Sequence, residues 1–253
     1  MLWLVIIASI ACGLLSLVGG IILLANKKKA PRFAEYATAF AAGALLAAAF
    51  VDLLPEAIEE SNAHSVLLAT LIGLLFFFLL EGAINWFHRH AHKHDPKDKK
   101  LAPVVPMVVL GDTLHNFIDG IAIAAGFLIS PASGLIVTFA IAAHEIPQEI
   151  GDFGIMAKNG VSRRRIIFMN LISSFAAVIS AVIFYLLGST HDISLAPLLG
   201  LVAGFFIYIA ATDIIPTLHQ EPKKSATIKK SALLLLGVIV ISVAVTFLHT
   251  HAH

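Results

Sequence analysis

His115-Asn116-Phe117-Ile118-Asp119-Gly120 and His144-Glu145-Ile146-Pro147-Gln148-Glu149 each lie near the middle of a long apolar stretch. A single Asp at mid-bilayer costs about 2.5–3.5 kcal/mol on insertion scales, and these two stretches hold several acids without one Lys or Arg. The balancing positive charge is expected from protons or from a bound cation. Asp112, His115, Asn116 and Asp119 stand three or four residues apart, which places them on one face of an α-helix. In the second stretch His144 and Gln148 form one such column, and Glu145, Glu149 and Asp152 form the column beside it. Two imidazoles, two amides and five carboxylates suit a divalent ion of borderline hardness, Zn²⁺, Fe²⁺ or Mn²⁺, with Cd²⁺ as a mimic; no thiolate is offered to Cu(I). The two columns have room for two ions, with Asp119, Glu145 or Gln148 between them. Pro147 frees the carbonyl of Ala143, a defect tolerable where the backbone lines a cavity. Hydrogen bonds that merely tie two helices together would explain a lone Asn or His better than a cluster of this size.

Those stretches need helices to carry them. The 253 residues are 58% hydrophobic and 13% charged, outside the soluble range. Nothing in this composition calls for a nucleic-acid partner; the partners expected are divalent ions and the lipid bilayer. Eight segments approach the roughly 20 apolar residues that a membrane helix needs: Leu2 to Ala25, Tyr36 to Leu54, Val66 to Phe87, Leu101 to Ile129, Gly134 to Met156, Ile166 to Leu187, Leu195 to Ile215 and Ala232 to Leu248. The fold expected is an all-α integral membrane protein, a single domain over residues 1–253. Barrel strands are excluded, because no period-two alternation occurs. All 17 Lys and Arg fall in four alternate connections, Lys27 to Arg32, Arg89 to Lys100, Lys158 to Arg165 and Lys223 to Lys230. The positive-inside rule makes these cytoplasmic and places both termini outside. The first segment has no basic n-region or cleavage site and reads as a retained helix. Cys12 reads as a small packing residue. At 1.5 Å per residue, His115 lies roughly 20 Å into its helix and His144 roughly 15 Å into the next, so a hairpin turning at Ser130 to Ser133 brings both to one depth.

Ala42-Gly43 to Asp52-Leu53-Leu54-Pro55 overlays Ala203-Gly204 to Asp213-Ile214-Ile215-Pro216 at a constant offset of 161 residues. The copies lie five helices apart, so they would cross the membrane in opposite directions, making segments 1–3 an inverted copy of 6–8 around the polar hairpin of segments 4 and 5. Inverted repeats point to transporters with a site near the midplane. Asp52 and Glu56, with His64 nearby, are a candidate cation entrance; Asp213 and His219 occupy the opposite end and are a candidate exit. His88, His90, His92 and His94 fall in a polar cytoplasmic loop, residues 88–100, where neutral imidazoles could receive released metal.

In H-N-F-I-D-G and H-E-I-P-Q-E-I-G-D-F the chain resembles the ZIP (Zrt/Irt-like) family of metal-ion transporters, and the resemblance extends over essentially the whole length. It implies an uptake carrier that brings zinc, and iron, manganese or cadmium besides, into the cytoplasm, as a homodimer with elevator-like movement of the site helices; a compact chain without long soluble extensions points to a plasma membrane. The metal is then a substrate and no permanent cofactor is implied. By the same resemblance His115, Asp119, His144 and Gln148 build one metal site, and Asn116, Asp119, Glu145 and Gln148 a second, with Glu149 beside both. Gln148 departs from the pattern, standing where an imidazole is usual. The rival from another class is an intramembrane metalloprotease, because His144-Glu145-Ile146-Pro147-Gln148 is one substitution from H-E-x-x-H. Gln148 is a poor zinc ligand, and Pro147 distorts the turn that would have to present the pair, so an enzyme is not expected.

Overall fold

The computed structural model describes residues 1–25, 30–90, 104–190, 195–216 and 224–251, and all regular structure among them is helical. Helix α1 covers Leu2–Ala25 and α2 Ala30–Ala47. The second helix runs without a break through a wide π-helical turn, Ala48–Leu53, into α3, Leu54–Glu60. Then follow α4 (Ala63–His90), α5 (Val104–Ile129), α6 (Pro131–Lys158), α7 (Arg163–Thr190) and α8 (Leu195–Tyr208). A second π-helical turn, Ile209–Ile214, extends α8, and α9 covers Lys224–His251. Seven of the described helices are long and apolar enough to cross a membrane. Helix α6, at 28 residues, is as long as any of them but carries Glu145, Glu149 and Asp152 along its length.

The two wide turns share a local cause. Pro55 and Pro216 lack an N–H, and each ring crowds the carbonyl four residues earlier, so a loosened turn before each relieves the clash. Leu54 N–H accordingly reaches back five residues to the Ala49 carbonyl, and Ile215 N–H reaches Ala210. The turns fall at the same 161-residue offset as the sequence match.

Packing sorts the helices into two groups. In one, α1 and α5 each lie against both α6 and α7; in the other, α2 lies along α9 and α4 along α8. The groups meet chiefly where α2 runs beside α6. Within the second group, glycines let backbones touch. A Cβ on Gly43 would fall 1.9 Å from the Leu234 carbonyl oxygen, and one on Gly204 would fall 2.1 Å from that of Thr70. Gly237 and Gly73 return these contacts, against Phe40 and Leu201 respectively. Close approach through small residues is how helices associate where lipid removes the hydrophobic drive. The outward faces of α4 and α9 remain apolar, with Leu79 66% and Val243 62% exposed, as suits a surface solvated by acyl chains rather than water.

Two expectations need correction. Helix α4 continues through His90, so His88 and His90 belong to the helix and not to the loop; no proline lies between Pro55 and Pro96. Asp52, expected at a helix end, is instead 1% exposed within a helical run that reaches Glu60.

Candidate metal centre

The α5–α6 hairpin is set by one residue. Ser130, extended at φ −155° and ψ 157°, accepts a hydrogen bond from Ser133 N–H at 3.0 Å as N-cap of α6, and Pro131 follows in the first turn. Pro is favoured there because its missing N–H would be unpaired in any case. The tight turn sends α6 back antiparallel to α5 and levels the two polar faces.

At that level His115 Nε2 lies 2.9 Å from His144 Nε2. Asp119 Oδ2 is 3.7 Å from His115 Nε2 and 3.5 Å from His144 Nε2, and Glu145 Oε1 is 3.8 Å from His115 Nε2. Tetrahedral zinc bound at about 2.0–2.1 Å holds its ligand atoms about 3.3 Å apart. The donors therefore bracket a zinc-sized point, and rotations of a few tenths of an ångström would close the set. His144 Nδ1 lies 3.3 Å from the Ala140 carbonyl; donating there leaves Nε2 with its lone pair facing the cluster, the usual outer hydrogen bond of a ligating imidazole. Phe77 of α4 packs edge-on to His115, ring centroids 5.8 Å apart, so the second helix group walls the site.

A second set joins the first through Glu145: one oxygen each of Asp112, Glu145 and Glu149 lies within 4.8 Å of the others. Glu145 and Glu149 are 2% and 0% exposed, and none of their four carboxylate oxygens has a hydrogen-bond partner; Asp119 Oδ2 also lacks one. Buried carboxylates without donors are costly, and no Lys or Arg lies in either hairpin helix before Lys158. A divalent cation is the partner that this geometry fits.

The expected residues do not all converge. Asn116 is buried, but its amide nitrogen donates to the Asp112 backbone carbonyl at 3.1 Å and to Asp112 Oδ1 at 2.9 Å. Gln148 is half-buried one turn beyond His144, and Asp152 is half-buried one turn beyond Gln148. Asp52 accepts from Ser133 Oγ at 3.3 Å, joining the first wide turn to the start of α6. Glu56 is half-buried and His64 exposed, and neither belongs to a ligand cluster. Asp213 lies in the second wide turn, and His88 and His90 on the last turn of α4, but their side chains lie outside the described residues, as do His92, His94 and His219 altogether.

Sequence reasoning missed the contribution of α7. Ser173 Oγ donates to Asp112 Oδ2 in a short hydrogen bond, and Asn170 and Ser174 are buried beside it. A signal was present: Asn170, Ser173 and Ser174 form a polar i, i+3, i+4 face on a largely apolar helix.

The model of the ZIP zinc transporter family matches residues 2–103 and 87–244. Zinc transporter ZIP10 of Homo sapiens is 33% identical over 146 residues, which are 54% of this chain and 18% of that protein. Zinc transporter foi of Drosophila melanogaster is 35% identical over 130 residues, 51% of this chain and 18% of that protein. Zinc transporter ZIP13 of Pongo abelii is 29% identical over 211 residues, 79% of this chain and 63% of that protein. The chain thus spans under a fifth of the first two and under two thirds of the third.

Proposed function

The chain belongs to the ZIP zinc transporter family, a multi-pass membrane protein by its helices, and on that premise we propose that it carries divalent transition-metal ions, Zn²⁺ foremost and Fe²⁺, Mn²⁺ or Cd²⁺ besides, into the cytoplasm. The ion is the transported substrate, bound in passing by His115, Asp119, His144 and Glu145, with Gln148 within a turn. Asp112, Glu149, Asn116 and Asp152 extend the path along the same two helices. The observation that carries this reading is the pair of imidazole nitrogens 2.9 Å apart beside buried carboxylate oxygens that have no donor.

All eight long helical runs cross the membrane, α6 included, because the acids that lower its hydropathy face the metal path rather than lipid. The termini face outward and the Lys- and Arg-bearing connections inward, in a plasma membrane. Helices α1 to α4 and α7 to α9 form an inverted repeat, supported by the paired wide turns and the reciprocal glycine contacts. The group holding α1, α5, α6 and α7 moves as the carrier against α2, α4, α8 and α9, and the latter group pairs with a second copy. Asp52, Glu56 and His64 lie on the entrance side; Asp213, His219 and the His88 to His94 stretch lie on the exit side. A protease reading has no support, because the fourth turn position is Gln148 and the relatives named above are transporters.

Purified protein in metal-free proteoliposomes should admit Zn²⁺ or Cd²⁺ down its gradient without ATP, and His144→Ala should abolish that flux. Vesicles that stay impermeable to every transition ion tried, or flux untouched by His144→Ala, would overturn the proposal.

A further inference from the structure

Asp112 is 4% exposed, and both of its oxygens are held: Oδ1 by Asn116 Nδ2 at 2.9 Å and Oδ2 by the hydroxyl of Ser173, 61 residues away on α7. Its neighbours across the hairpin, Glu145 and Glu149, have no donor at either oxygen. One corner of the carboxylate triad is therefore fixed by a helix outside the hairpin, and the other two corners are left to the ion. The Ser173 hydroxyl also lies 3.1 Å from the Asn170 carbonyl. An ionised carboxylate has about four lone-pair sites, so a cation can take Asp112 while the Ser173 hydroxyl still holds it in place.

The two donor sets differ in chemistry. The His115, Asp119, His144 and Glu145 set mixes imidazole nitrogen with oxygen, whereas the Asp112, Glu145 and Glu149 set is oxygen alone. Imidazole favours zinc, and carboxylate oxygen without nitrogen favours Mn²⁺ and other hard dications. We infer that Ser173 is a positioning residue that sets cation preference: by orienting Asp112 it maintains an oxygen-only station for hard divalent ions beside the imidazole station. The inference rests on the transport reading above and extends it to a helix that holds none of the hairpin's ligands.

The test compares full-length wild type, Ser173→Ala and Ser173→Thr in proteoliposomes, with initial rates measured against Mn²⁺ and Zn²⁺ concentration. Loss of a hydrogen bond to a charged partner should raise KM for Mn²⁺ on the order of tenfold more than KM for Zn²⁺, and Ser173→Thr, which keeps the hydroxyl, should restore the wild-type ratio. Because Ser173→Ala could also disturb packing, the same change is made in an Asp112→Asn background. There it should leave the ratio as Asp112→Asn alone sets it, since the two side chains act as one unit. An unchanged Mn²⁺ to Zn²⁺ ratio in Ser173→Ala, a Thr variant as impaired as Ala, or additive effects in the double variant would each overturn the inference. Absence of flux in the wild type would defeat the transport reading alone, because equilibrium Mn²⁺ and Zn²⁺ binding to the purified variants reads the same ratio.

Discussion

Glu145→Gln should stabilise the metal-free protein while removing most of the stabilisation that metal confers. The side chain is 2% exposed, neither oxygen has a hydrogen-bond partner, and Glu145 belongs to both donor sets. An unsatisfied buried polar group costs about 1–3 kcal/mol, more when charged. The near-isosteric amide removes the charge and supplies N–H donors to the Asp112 and Glu149 oxygens within 4.8 Å. In chelator the variant should therefore gain about 1–3 kcal/mol, or roughly 2–12 °C in Tm for a chain of this length. With Zn²⁺ the gap closes. A ligand at a hundred times its Kd stabilises by about 2.7 kcal/mol, and the variant, lacking the residue that both sets share, should recover only a small part of that. Thermal unfolding of both proteins in lipid nanodiscs, with chelator and with Zn²⁺, gives the four values needed. A variant less stable than wild type in chelator, or one with an undiminished Zn²⁺ shift, would refute the reasoning.

Gly43→Ala forces a methyl onto the Leu234 carbonyl at 1.9 Å and should destabilise by about 1–3 kcal/mol through overpacking, whereas Gly151, with nothing within 4 Å of an added Cβ, should accept Ala neutrally or gain up to about 1 kcal/mol; parallel melts of the two variants check this. Gln148→His adds an imidazole one turn from His144 and should tighten Zn²⁺ binding at least tenfold while slowing release, read by isothermal titration beside efflux from loaded vesicles.

The hairpin was legible because its arithmetic is local. A helix repeats every 3.6 residues, so His115 and Asp119 had to share a face, and so did His144 and Gln148; a tight turn at Ser130 then fixed their common depth. Which acids meet across the hairpin was not legible. Asp112 approaches Glu145 and Glu149, a matter of rotation about the helix axes that spacing does not determine. Asp52 is buried because the helix passes through a wide turn to Glu60 instead of ending near Pro55, and Pro55 could be read equally as a stop or as a distortion. Ser173 was marked only by its polar neighbours Asn170 and Ser174: serine is ordinary in a membrane helix, and its importance lies in a partner 61 residues away. The 161-residue offset, by contrast, is plain in the sequence, and the wide turns fall on it.

If one dication sits between His115, Asp119, His144 and Glu145, zinc K-edge absorption on the protein loaded with a single equivalent should show two imidazole ligands with Zn–N at about 2.0–2.1 Å plus carboxylate oxygen, with one imidazole lost in His144→Ala. A spectrum without imidazole scattering, or one that His144→Ala leaves unaltered, would contradict that placement.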